Sequence, residues 1–414
     1  MRSHPLREQI IAEVHARPFQ MLQAPLAMLH LAVVYDDTPL EDLRQHIYRL
    51  SDTLMLTTTI NKSRFWQGES EQLALRFEAH HEFYTLTLTA LNRLELPQLP
   101  QQWLSTAPGS LLCGAEILFR AHQHEQDENA WPEQHFGENQ VNSSMVMSEM
   151  GQIWTDFYPR KDSGMVRVLV EDRGLQLRQA GRLLQRICEI ETYRHVALLA
   201  LPLANKVVPD INRLETELAE LSTRVASEDP SVLLHRLMDL AEQLEALSAQ
   251  TSNRFSAAEA YFTLVNKRIA ELREIRIEGR QTVEQFMDRR LDPATRTCRA
   301  AGQRIEQLSR RLARTTQLVR SQVDLSVEQQ NRDMLTSLSK RAGEQLRLQA
   351  KLESFSIIVV TYYAFDLIDR TLRNLVENEE HRHLMESGLS ISVPFIALLL
   401  WLYIRRLLRG VGED

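Results

Sequence analysis

Residues 83–91, FYTLTLTAL, alternate apolar and polar side chains, the period of a strand with one face turned to a core. Working outward, 27–35 (AMLHLAVVY) and 72–80 (QLALRFEAH) are rich in β-branched and aromatic residues and read as further strands. Between these two, 39–50 (PLEDLRQHIYRL) sets Leu40, Leu43, Ile47 and Leu50 at helical spacing. Downstream, 151–159 (GQIWTDFYP) and 164–172 (GMVRVLVED) add two strands, the second entered through a turn at Asp162, Ser163 and Gly164. The intervening 121–140, AHQHEQDENAWPEQHFGENQ, has little apolar content and reads as an exposed loop. Residues 1–174 are therefore expected to form an α+β domain.

After Gly174 helix formers dominate. An apolar helical segment covers about 175–202, with Pro202 and Pro209 punctuating its end. Two long helices are expected over 231–291 and 293–352, divided at Asp292-Pro293, where aspartate caps and proline suits the first helical position. Ile305, Leu308, Leu312, Val319 and Val323 recur at spacings of three and four, as in a helix packed on a partner helix. Charge is uneven: Asp210 to Gln250 carries nine acids and three arginines, whereas Asp288 to Arg320 carries nine arginines and three acids. The two stretches fit an antiparallel bundle in which opposite charge sets register; a basic face for nucleic acid or lipid is the other reading, and it lacks interleaved aromatics. Residues 175–352 are thus expected to be a long-helix bundle or coiled-coil stalk, forming a homo-oligomer and binding no nucleic acid.

The end of the chain suggests a bilayer as a further partner. Ser387 to Ile404, SGLSISVPFIALLLWLYI, is 18 residues without a charge, followed by the membrane-flank arginines Arg405, Arg406 and Arg409. The N-terminus, MRSHPLREQIIAEVHARP, carries charges where an export signal has its apolar stretch, so both ends are expected inside, which requires an even number of crossings. The short apolar stretch 354–365, SFSIIVVTYYAF, supplies the first leg of such a hairpin; a single C-terminal anchor is the alternative. The expected order is a transmembrane helix at 353–372, an acidic outer loop at 373–386, a second at 387–408 and a cytoplasmic tail at 409–414. C-terminal transmembrane helices would place the chain in the bacterial inner membrane, its bulk in the cytoplasm.

Chemistry is harder to find. Cys113, Cys188 and Cys298 are far apart, which excludes a disulfide framework and a cysteine metal site. A net charge of -7 gives no global argument for nucleic acid. There is no phosphate-binding loop, dinucleotide fingerprint, nucleophile elbow or His-Glu-x-x-His. The weak local candidate is EVHARP, where Glu13, His15 and Arg17 would share a face if extended and orient an imidazole beside a carboxylate. His122 and His124, near Glu125, Asp127 and Glu128, could meet a metal but are more simply solvated. No cofactor, metal ligand or catalytic residue is assigned, and the chain is expected not to be an enzyme.

The segments HPLREQIIAEVHARPF (4–19), TDFYPRKDSGMVRVLV (155–170), AGRLLQRICEIETYRHVALLALP (180–202), FSAAEAYFTLVNKRIAELREIRIEGRQTVEQFMDRRLDPATRTC (255–298) and RAGEQLRLQ (341–349) resemble a family of uncharacterised, membrane-anchored bacterial proteins, a domain of unknown function. The resemblance implies bacterial origin and membrane attachment, and carries over no site residue. In order of parts the chain is also similar to CorA-type metal-ion transporters, which would make Tyr362, Tyr363, Glu377, Glu379 and Glu380 a pore mouth. That family's Gly-Met-Asn motif is missing here. The leading expectation is a non-enzymatic membrane-anchored protein presented on an oligomerising stalk, with a CorA-like channel as the alternative.

Overall fold

A computed structural model describes residues 3–14, 18–35, 38–123, 130–375, 394–399 and 401–403. It divides into two compact units, Met1–Gln317 and Leu318–Asp414. The first begins with α1 (Arg7–Val14), β1 (Leu26–Val34), α2 (Leu40–Thr53), β2 (Thr57–Lys62), β3 (Phe65–Glu69), β4 (Leu73–Ala79) and β5 (Phe83–Leu91). Next come α3 (Gln101–Leu104), β6 (Ser110–Ala121), α4 (Ala130–Phe136), β7 (Asn142–Val146), β8 (Gly151–Pro159) and β9 (Val166–Asp172). Helices α5 (Leu177–Leu198), α6 (Ala200–Arg224) and α7 (Pro230–Leu272), the short β10 (Ile275–Arg276), α8 (Val283–Arg290) and α9 (Asp292–Leu375) follow.

The strands form one sheet in the order β10-β7-β8-β9-β6-β1-β5-β4-β3-β2. Every pairing is antiparallel except β6 with β9. Its centre is covered on both faces, which is why β1 reads as an almost continuous apolar run. On one face the stripe Leu43, Ile47 and Leu50 of α2 packs with Leu31, Leu75, Phe77 and Leu86. Further along that face, Trp131 and Phe136 of α4 pack with Leu118, Trp154 and Leu169. The other face, carrying Met28 and His30, is crossed by α5.

Several sequence expectations are corrected. The loop expected over 121–140 contains α4, because Trp131 and Phe136 are buried in the sheet core. Pro202 does not end a helix: it lies in the first turn of α6, where backbone N–H groups have no helical acceptor, and Pro209 lies within the same helix. The helix expected to reach 291 stops at Leu272, capped by Arg273 in the left-handed region at φ 53°. The chain then pairs β10 with β7 and restarts at Thr282 with a capping box. Strand β6 was not expected. Its Gly114 meets β1 so closely that a Cβ would lie 2.7 Å from the His30 carbonyl oxygen.

The C-terminal transmembrane helices are also corrected. Among the described residues no helix is long and apolar enough to cross a membrane. In α9 the apolar run at 354–365 continues straight into Asp366, Asp369 and Arg370, charges that a spanning segment excludes. Of the 387–404 run, only 394–399 and 401–403 are described, as short helical pieces, and the rest lies outside the described residues. The inner-membrane placement and the bilayer as partner rested on these crossings. The CorA-type reading, with its pore mouth, needs them too and is not carried further.

Candidate functional site

The polar interior between α5 and the sheet is built by strand alternation. In register across the sheet stand Arg76 of β4, Thr87 of β5 and His30 of β1, side chains that share one face. Gly181, Gln185, Cys188 and Thr192 recur at helical spacing on α5 and line the same pocket. His30, 4% exposed, is held at both ring nitrogens, Nδ1 to Thr87 Oγ1 and Nε2 to Thr192 Oγ1, each at 2.8 Å. Burial, aided by the Arg76 and His80 charges and opposed by Glu78, pushes its pKa down from 6.5 to about 4. His30 is thus neutral at pH 7, one hydroxyl donating to it and the other accepting.

Charge beside it is compensated locally. Arg76 donates from Nε to Glu78 Oε1 at 2.7 Å and from Nη1 to the Pro18 carbonyl at 3.1 Å, with its guanidinium over the Phe65 ring. Glu78 lies 3.8 Å from His80 Nε2, and His80 stacks on Phe83. Glu189 on α5 pairs with Arg268 of α7, which also holds Glu271 at 2.9 Å. The N-terminal segment closes the pocket: Leu22 N–H donates to the Leu177 carbonyl, and the Gln20 carbonyl rests on Gly181. What remains is about 40 Å³, room for a few waters rather than a substrate.

A second constellation lies further along α5. Cys113 of β6 with Glu191 and His195 of α5 places a thiol, a carboxylate and an imidazole within 4.8 Å of one another, a metal-ligand chemistry. However, Arg194 already takes Glu191, with Nε to Oε2 at 2.9 Å and Nη2 to Oε1 at 3.0 Å. The His195 Nδ1 hydrogen-bonds the Glu191 carbonyl at 2.8 Å, and burial raises the thiol pKa and lowers that of the imidazole. The guanidinium supplies the positive charge that a metal would bring.

Opposite charge also joins the helices of the first unit. Arg304 of α9 donates to Glu215 of α6 at 3.0 and 2.7 Å, and Arg299 to Glu259 of α7 at 3.2 and 2.7 Å. Hydrogen bonding from Arg304 holds the Glu215 carboxyl below the usual range. These are pairings of the kind that the uneven acidic and basic stretches suggested.

The second unit presents a different surface. Along α9, Val327, Met334, Leu338, Leu348, Leu352, Phe355 and Tyr362 are each at least 50% exposed. With Asn331, Arg341, Gln345 and Val359 they fall at alternating spacings of four and three, the heptad seam of a coiled coil.

Of the residues singled out from sequence, Glu13 lies in α1, while His15 and Arg17 lie outside the described residues. Tyr362 and Tyr363 are exposed on α9, their rings 5.8 Å apart; Glu377, Glu379, Glu380, Arg405, Arg406 and Arg409 lie outside the described residues. His122 hydrogen-bonds Glu171 at 2.8 Å, whereas 124–129 lie outside. The polar interior was missed, although a histidine interrupting the apolar run 27–34 and the threonines of TLTLT signal a polar inward face. No curated protein matches the chain. A family model matches residues 2–411, nearly the whole sequence, and the chain belongs to the family described as Protein of unknown function (DUF3422).

Proposed function

We propose that the chain is a non-enzymatic assembly protein that works as a homodimer, α9 pairing with the same segment of a second copy between Val327 and Tyr362. The observation that carries this is the exposed seam. Seven large apolar side chains at heptad positions face solvent, and burying them at roughly 90 Å² each would remove about 600 Å² per chain. The total of about 1,200 Å² reaches the lower edge of stable specific interfaces. Asn331 falls at an a position, where asparagine pairs with its own copy and favours a parallel, in-register dimer. The absence of reaction is supported by the α5 pocket, water-sized and lined by groups already engaged with one another. The absence of nucleic-acid binding is supported by Arg299 and Arg304, whose charge is spent within the molecule.

Cysteine cross-linking of the full chain tests the pairing, since the native cysteines are buried. Under mild oxidation Asn331→Cys should give a covalent dimer, Thr336→Cys on the outer face should give little, and adding Leu338→Asp and Leu352→Asp to Asn331→Cys should abolish the product. Equal cross-linking at both positions, or a product indifferent to the aspartates, would refute the seam; an antiparallel pair would leave Asn331→Cys unlinked.

A further inference from the structure

On the sheet face away from α5, the 92–109 segment does not pack down completely. Between a floor that includes Leu31 and Leu86 and a roof that includes Leu99, Trp103 and Ala107 lies a cavity of about 660 Å³. That is the size of a small-molecule site, and its walls are mainly apolar. One buried charge lines it. Glu116 of β6, opposite Leu29 in register, is only 5% exposed. Its Oε2 accepts both bonds from Arg167, from Nε at 3.1 Å and Nη2 at 2.5 Å, and its Oε1 has no hydrogen-bond partner among the described residues. A buried carboxylate oxygen left without a donor is costly, so a donor from elsewhere is favoured there. Asp162 is the other charged residue of the lining, and neither lysine nor arginine is among the described lining residues.

From these observations we infer that the cavity binds a small organic amine with an apolar body, its ammonium donating to Glu116 Oε1 and its hydrocarbon filling the space under the 92–109 segment. The acidic lining selects a cation over a carboxylate, and the apolar walls select an alkyl or aryl body over a polyamine. The site is independent of the pairing through α9.

The test uses the full chain and displacement of the neutral fluorophore N-phenylnaphthylamine by octylamine, octanol and octanoate at neutral pH. Octylamine should displace it at concentrations about tenfold or more below octanoate. Glu116→Gln, close in size, should weaken octylamine about tenfold and leave octanol within about twofold. Ala107→Trp fills the cavity without touching the Glu116–Arg167 pair and should weaken all three. If Glu116→Gln fails to fold by circular dichroism, Ala107→Trp and the wild-type ratio of octylamine to octanoate decide. The inference is overturned if the fluorophore does not bind saturably, if octanoate competes as well as octylamine, or if Ala107→Trp changes nothing.

Discussion

Neutral, fully enclosed His30 makes the first unit acid-sensitive by an amount that can be worked out. Its folded pKa of about 4 lies below the 6.5 of an exposed histidine. The unfolded chain therefore binds a proton between those values that the folded chain refuses, and stability falls as pH drops through that window. At 1.36 kcal/mol per pH unit, the whole gap corresponds to about 3.4 kcal/mol; about 2.5 kcal/mol of it is lost by pH 4.5. Other carboxylates and histidines titrate in the same range, so the wild type is compared with His30→Gln, which keeps a donor and an acceptor but does not titrate. Urea unfolding of both chains at pH 7.5, 6.0, 5.0 and 4.5 yields two curves. The predicted difference in their pH dependence is about 2.5 kcal/mol between the extremes, with the wild type losing more. Parallel curves would mean that His30 protonates freely in the folded state, and the enclosed, doubly hydrogen-bonded imidazole would be wrong.

Thr192→Val removes the hydroxyl on His30 Nε2 at nearly constant shape and should cost about 1–3 kcal/mol in urea unfolding. Gly181→Ala would place a Cβ 1.8 Å from the Gln20 carbonyl oxygen, so the N-terminal segment must lift; thermal unfolding should show a loss of about 1–3 kcal/mol. Glu215→Arg should destabilise the α6–α9 contact by about 0.5–1 kcal/mol, and the double variant Glu215→Arg with Arg304→Glu should recover most of it at low salt.

What sequence reveals here depends on whether local pattern or a distant partner decides the structure. Alternation in FYTLTLTAL and the apolar run AMLHLAVVY mark β5 and β1 because each strand's own side chains carry the core face. Strand β6 was missed because Gly114 and Cys113 break its pattern, and glycine is required only by the close approach of β1, remote in sequence. Trp131 looked like part of a polar loop because the partners that bury it, Trp154 and Leu169, lie on other strands. Pro209 looked like a helix end because its cost within a helix is local while the packing that offsets it, at Val207, Ile211 and Leu214, is tertiary. The polar interior shows the same limit. Each of its residues is ordinary alone, and only the register of β4, β5 and β1 beneath α5 brings Arg76, Thr87, His30 and Thr192 together. Glu116 was equally silent, since a carboxylate in a strand gives no sign that it will line a cavity.

The exposed seam on α9 bears the central claim, and the mass of the full chain in solution tests it most directly. Sedimentation equilibrium at micromolar concentration should give about twice the chain mass of 47.9 kDa, falling to a single chain mass when Leu338→Asp and Leu352→Asp are introduced together. A single chain mass for the wild type across that range, or a multimer that survives both aspartates, would contradict the account.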